Sequence, residues 1–188
     1  MLFIMDNAFT AENYLKIKQA IRERGYTSEI EWADGIRPCE RPVDFWSEYS
    51  WVVLNSGMKN QVARKIWDKI IDAYIHGKKA ADVFGHQAKA QAIDTMFREK
   101  EEKLSEYIKA ENKLDFLKSL PWIGDITKYH LAKNLGFDCC KPDRHLVRIS
   151  KALNTTPEEL CKRLSDETGD RIATVDLVIW RAANLGLL

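Results

Sequence analysis

The segment K-P-D-R-H-L-V-R, residues 141–148, sets one carboxylate directly behind a proline, with an imidazole at 145 and guanidinium groups at 144 and 148. A lone carboxylate held at a site can stabilise positive charge that grows in a transition state, or orient a water for attack. Asp143 is the candidate for that work. It also suits an N-cap role, because aspartate accepts the free N–H groups of a first helical turn and contributes about 1 kcal/mol in doing so. Both roles are open to one residue, since a helix cap can face a cleft. His145 can orient the loop, contact a backbone or act as a second acid. Arg144 and Arg148 can meet phosphate or form surface ion pairs.

Upstream lies L-P-W-I-G-D-I-T, residues 120–127, whose Gly124 precedes Asp143 by 19 residues. Apolar residues over 114–120 predict a short helix, Pro121 ends it, and a compact turn Leu120-Pro121-Trp122-Ile123-Gly124 leads to a second helix beginning near Asp125. The first N–H groups of that second helix lack partners within it and sit at the positive end of its dipole. They can hold a phosphate without reading sequence. A plain turn between two helices explains this motif equally well when it is taken alone.

These segments must be positioned by helices. Residues 11–24 carry Tyr14, Ile17 and Ile21 on one stripe, 44–54 are rich in aromatics, and 59–76 place Val62, Ile66, Ile70 and Tyr74 together before Gly77. Further helices are predicted at about 78–84, 86–98, 99–110, 113–119, 125–134, 143–153, 157–166 and 170–185. No strand alternation occurs, and 25–42, with Gly25, Gly35, Pro38 and Pro42, reads as the one long irregular stretch. The expected fold class is all-α. The charge run at 98–103 reads as a solvated helix face.

Length and composition agree with that class. With 188 residues, 45% hydrophobic and 30% charged, the chain can bury one domain or two small lobes. The net charge of +1 leaves nucleic-acid binding to local patches. The opening M-L-F-I-M is too short for a signal segment and no later apolar run approaches a membrane span, so a cytoplasmic protein without a membrane partner is expected. Cys39, Cys139, Cys140 and Cys161 show no metal-ligand spacing, which predicts reduced, buried thiols and no metal.

Residues 120–149, running from the L-P-W-I-G turn to R-H-L-V-R-I, resemble the helix-hairpin-helix DNA glycosylases of base-excision repair, with Asp143, His145 and Arg148 in that superfamily's D-x-H-x-x-R frame. The likeness extends more weakly to W-V-V-L-N-S-G-M-K-N at 51–60, similar to the segment that supplies the superfamily's DNA-inserting wedge, and to V-D-L-V-I-W at 175–180. It implies a two-lobed helical fold with a DNA cleft: one lobe of 36–136 ending in the hairpin at about 113–135, the other of 1–35 with 137–188. It implies a monomer that flips a modified base, by preference an alkylated or oxidised purine, from double-stranded DNA and hydrolyses its N-glycosidic bond at Asp143. DNA contacts would come from Leu120, Pro121, Trp122, Ile123, Gly124, Ile126, Thr127, Lys128, Arg144, His145 and Arg148.

Wedge or base-pocket candidates are Trp46, Tyr49, Trp51, Asn55, Met58 and Lys59, although an aromatic stripe in a helix also suits a core. Trp122 stands where the superfamily's hairpin usually has its first glycine. Ile126 replaces the Schiff-base lysine of bifunctional members, so a lyase step is not implied. No cofactor is required, while the hairpin carbonyls of Lys118, Leu120 and Ile123 correspond to a monovalent-cation site. Basic residues gather on the same segments: Lys59, Arg64 and Lys65, then Lys128 and Lys133, then Lys141, Arg144, Arg148 and Lys151. The alternatives are a non-catalytic helix-hairpin-helix DNA-binding module and an enzyme of modified-nucleotide or base-hypermodification chemistry on the same fold.

Overall fold

The computed structural model describes residues 9–188; the M-L-F-I-M opening lies outside them. Among the described residues every regular element is helical and no strand occurs. The helices are α1 (Ala11–Ile21), α2 (Thr27–Gly35), α3 (Pro42–Asn55), α4 (Asn60–Ile75), α5 (Gln87–Lys109), α6 (Lys113–Ser119), α7 (Thr127–Asn134), α8 (Arg144–Ala152), α9 (Pro157–Thr168) and α10 (Ile172–Asn184). Among the described residues a π-type turn (Arg22–Tyr26) and a 3₁₀ turn (Ala80–Asp82) complete the helical elements.

Four local expectations are corrected. Much of 25–42 is helical: Gly25, at φ 88°, kinks the chain after α1, and α2 follows at once, burying Ile30 and Ala33. The helices expected at 86–98 and 99–110 are one, α5, because the charged residues between them are good helix formers and no breaker interrupts them. In α4 the buried stripe is Ala63, Ile70 and Ala73, with Val62 47% exposed. The expected 78–84 helix shrinks to the 3₁₀ turn.

The chain divides into two compact units. Unit 1 joins the described residues up to Arg37 with Gly136–Leu188 and holds α1, α2, α8, α9 and α10. Its core includes Tyr14, Ile30, Leu146, Ile149, Leu164 and Ile179. A half-buried polar network lies beside it: the Tyr14 hydroxyl and Lys18 Nζ both donate to Asp170, and Lys18 also lies 3.8 Å from Asp34, whose other oxygen accepts from the Thr174 hydroxyl. Burial and the Asp170 carboxylate push the Tyr14 phenol far above its usual range, so it remains a donor.

Unit 2 is the continuous stretch Pro38–Leu135, with α3 at its centre against α5 and α7. Its core includes Phe45, Val53, Ile70, Ile93, Leu117 and Leu131. All four cysteines are free; Cys140 and Cys161 are buried, while Cys39 and Cys139 are half-buried. No helix among the described residues is long and apolar enough to cross a membrane.

Candidate functional site

Asp143 is the N-cap of α8. Extended backbone at φ −80°, ψ 173° aims its side chain back at the helix, and Oδ1 accepts the N–H groups of His145 at 2.9 Å and Leu146 at 3.0 Å. Among the described residues no donor contacts Oδ2. That oxygen carries the chemistry the residue has left to offer. His145 Nε2 accepts from Arg144 Nε at 3.3 Å, and Arg148 Nη2 donates to the Leu188 carbonyl at 3.3 Å. The imidazole thus lies beside a guanidinium, on the same helical turn as the carboxylate.

The loop that delivers Asp143 is fastened to α10. Asp138 caps that helix through the N–H groups of Ile172 and Ala173, and Asp176, 2% exposed, accepts the Lys141 N–H at 3.1 Å. Arg171 donates to the carbonyls of Ala33, Ile36 and Gly136. These positioning residues were missed in the sequence reading. Asp176 gave a signal, a lone carboxylate in an apolar helix; Asp138 and Arg171 gave none.

In unit 2 the hairpin forms as α6, a turn over 120–126, and α7. Leu120 and Ile123 anchor it with 6% exposure each, and the Tyr49 hydroxyl donates to the Pro121 carbonyl at 2.9 Å. Gly124 N–H donates to the Thr127 hydroxyl at 2.7 Å, so that amide is already engaged. Asp125, at the start of α7, pairs with Lys118 at 2.6 Å and lies 3.9 Å from Lys128. The Lys118 ammonium holds the Asp125 carboxyl below its usual range. Ile126 is 47% exposed.

Trp122 takes φ 66°, a left-handed conformation that favours glycine, and stays 43% exposed. Its ring meets the His86 ring edge-on at 5.3 Å and lies 5.6 Å from Lys89 Nζ. Of the three carbonyls matched to a cation site, that of Leu120 accepts the Ile123 N–H at 3.2 Å.

The loop after α3 is tied to this cluster by Lys89, which is 5% exposed and donates to the carbonyls of Val53 at 2.8 Å and Ser56 at 2.5 Å. Burial lowers the Lys89 pKa. Asn55 donates to the Trp51 carbonyl and accepts from the Asn60 amide, closing the loop end to end. Met58 is half-buried and Lys59 exposed. Lys89 therefore links the loop after α3 to the hairpin turn, where His86 also meets Trp122, which sequence spacing did not reveal.

The aromatic candidates divide. Trp46 is 3% exposed, packed among Trp67, Tyr74 and Phe97, with its indole N–H on the Ile93 carbonyl at 3.2 Å. Tyr49 is fully buried. Both are core residues, and Tyr49 also lines a cavity of about 190 Å³ beside Leu120 and Pro121. Trp51 is half-buried under the Arg64 guanidinium, 4.6 Å from the ring centroid. Lys128 Nζ, whose side chain is 13% exposed, lies 5.3 Å from the Tyr129 ring. No family model, curated protein or solved structure matches the chain.

Proposed function

We propose that the protein is a monofunctional DNA glycosylase of the helix-hairpin-helix type, acting as a monomer on double-stranded DNA that carries a modified base. The observation that supports this reading most is the pairing of the L-P-W-I-G turn with a carboxylate cap 19 residues beyond Gly124, one oxygen of which is left over after capping. Expulsion of the base builds positive charge on the deoxyribose, and the second oxygen of Asp143 would face that charge or hold the attacking water. Oδ1, bound to two amides, fixes the carboxylate in orientation. The hairpin turn and the first N–H groups of α7 would hold backbone phosphate. Ile126 offers no amine, so the abasic product would leave uncleaved.

The test is base release from duplexes with single alkylated or oxidised bases, assayed with and without alkali. Wild type should give strand breaks only after alkali treatment, and Asp143→Asn should lower release by about 100-fold or more. Asparagine caps as well as aspartate, so the variant should stay folded and isolate the charge. Strand breaks without alkali would refute the monofunctional reading.

The completeness of the Asp143 cap favours one other reading, a helix-hairpin-helix module that grips DNA without chemistry. In that case no duplex loses a base, and Asp143→Asn leaves DNA affinity unchanged.

A further inference from the structure

Unit 2 contains a cavity of about 560 Å³ remote in sequence from Asp143, between the end of α4, the 3₁₀ turn and the face of α5. Its size falls in the range of small-molecule sites, about 300–1,000 Å³. Tyr74 and Phe97, with ring centroids 4.4 Å apart, form an apolar wall. Lys78, Lys79 and Arg98 supply three cations against one carboxylate, Asp94.

That carboxylate is already consumed. Asp94 Oδ1 accepts from the Tyr74 hydroxyl at 2.5 Å and the Ala80 N–H at 2.7 Å, and Oδ2 accepts from the Ala81 N–H at 3.1 Å. Burial and Asp94 push the Tyr74 phenol above its usual range, so it stays a donor locked to this partner. Asp94 therefore organises the wall and offers an entering ligand little. The cations have no such commitment: Arg98 spends one N–H on the Thr95 hydroxyl at 3.0 Å, and Lys78 and Lys79 are exposed.

An aromatic wall beside a cluster of cations suits a flat ring joined to an anion, and Gln91, also lining the cavity, supplies an amide that can both donate to and accept from a ring edge. We infer that this cavity binds a nucleoside monophosphate unit, its base against Tyr74 and Phe97 and its phosphate on Lys78, Lys79 and Arg98. The unit has two possible sources, a free nucleotide or one nucleotide of a single strand. The second is geometrically open, because Gln91 and Thr95 also line a smaller cavity of about 190 Å³ that reaches Leu120 and Pro121 of the hairpin. The inference uses neither Asp143 nor base release.

Isothermal titration of the full chain with adenosine monophosphate, adenosine, inorganic phosphate and an unphosphorylated oligothymidylate tests it. Adenosine monophosphate should bind, with adenosine and phosphate each weaker by about tenfold or more, because each holds half of the ligand. Arg98→Glu and the triple variant Lys78→Ala, Lys79→Ala, Arg98→Ala should weaken binding by at least about tenfold while the helical circular-dichroism signal and Tm are retained. Competition by the oligothymidylate identifies a strand as the source, and its failure to compete identifies a free nucleotide. The inference is overturned if adenosine monophosphate does not bind at millimolar concentration, if phosphate binds as well as the nucleotide, or if Arg98→Glu leaves affinity intact.

Discussion

Glu48 on α3 is a half-buried carboxylate whose main support is one neutral donor, the Asn134 amide at 2.8 Å. Burial is the largest influence on it and raises its pKa above 4.5, opposed by Asn134 and assisted slightly by Asp44. The folded state therefore holds this proton more tightly than the unfolded chain. Its contribution is fully present below the unfolded pKa and is lost as pH rises through the folded one. Glu48→Gln keeps an acceptor for Asn134 and removes the buried charge. It should raise Tm at pH 7, with the gain shrinking toward zero as the pH falls below about 4.5, measured by thermal melts across pH. Asp143 was readable in the sequence because a proline and a capping residue in front of a helix form a strictly local signal. Trp46 was misplaced because a tryptophan at helical spacing looks the same whether its neighbours across the core are aromatic or absent. Only the approach of Trp67, Tyr74 and Phe97 decides it.

At the scale of elements, α5 does more than a solvated helix would. Its first turn carries Lys89 under the last carbonyls of α3 and beside Trp122, so one side chain fixes where α3 ends and where the hairpin turn rests. Lys89→Met retains the aliphatic stem and leaves two carbonyls without their donor, at a cost of about 1–3 kcal/mol. Chemical denaturation should show that loss. If the hairpin and the loop after α3 both touch DNA, affinity should fall further than the substitution of an exposed lysine such as Lys65 would cause, as read by titration with labelled duplex. The hairpin helices themselves were legible, since Pro121 and Gly124 punctuate the chain and apolar residues flank them. The length of α5 was not: its apolar stripe stops between Phe97 and Leu104, where six charged residues, exposed or half-buried, carry the helix on. α2 was hidden for the opposite reason. Glycines at both ends and Pro38 behind it gave a loop-like composition to a segment that buries Ile30 and Ala33.

At the scale of the whole molecule, unit 2 is one uninterrupted stretch and unit 1 is assembled from both sides of it. The two passages are each fastened. In unit 2 the Cys39 N–H donates to the Leu135 carbonyl at 3.0 Å, and in unit 1 Arg171 bridges the carbonyls of Ile36 at 2.7 Å and Gly136 at 3.0 Å. Arg171→Ala removes charge-assisted bonds to three carbonyls and should destabilise unit 1 by about 3 kcal/mol, with hydrogen exchange rising in α2 and α10 before α3. The staple also decides how the chain carries load. Tension applied at residues 9 and 188 enters unit 1 from both ends, and the loop of chain that forms unit 2 hangs slack behind Arg171. Stretched in a single-molecule trap, the molecule should give way in a set order, first releasing the length of unit 1 and only then passing force to Pro38–Leu135.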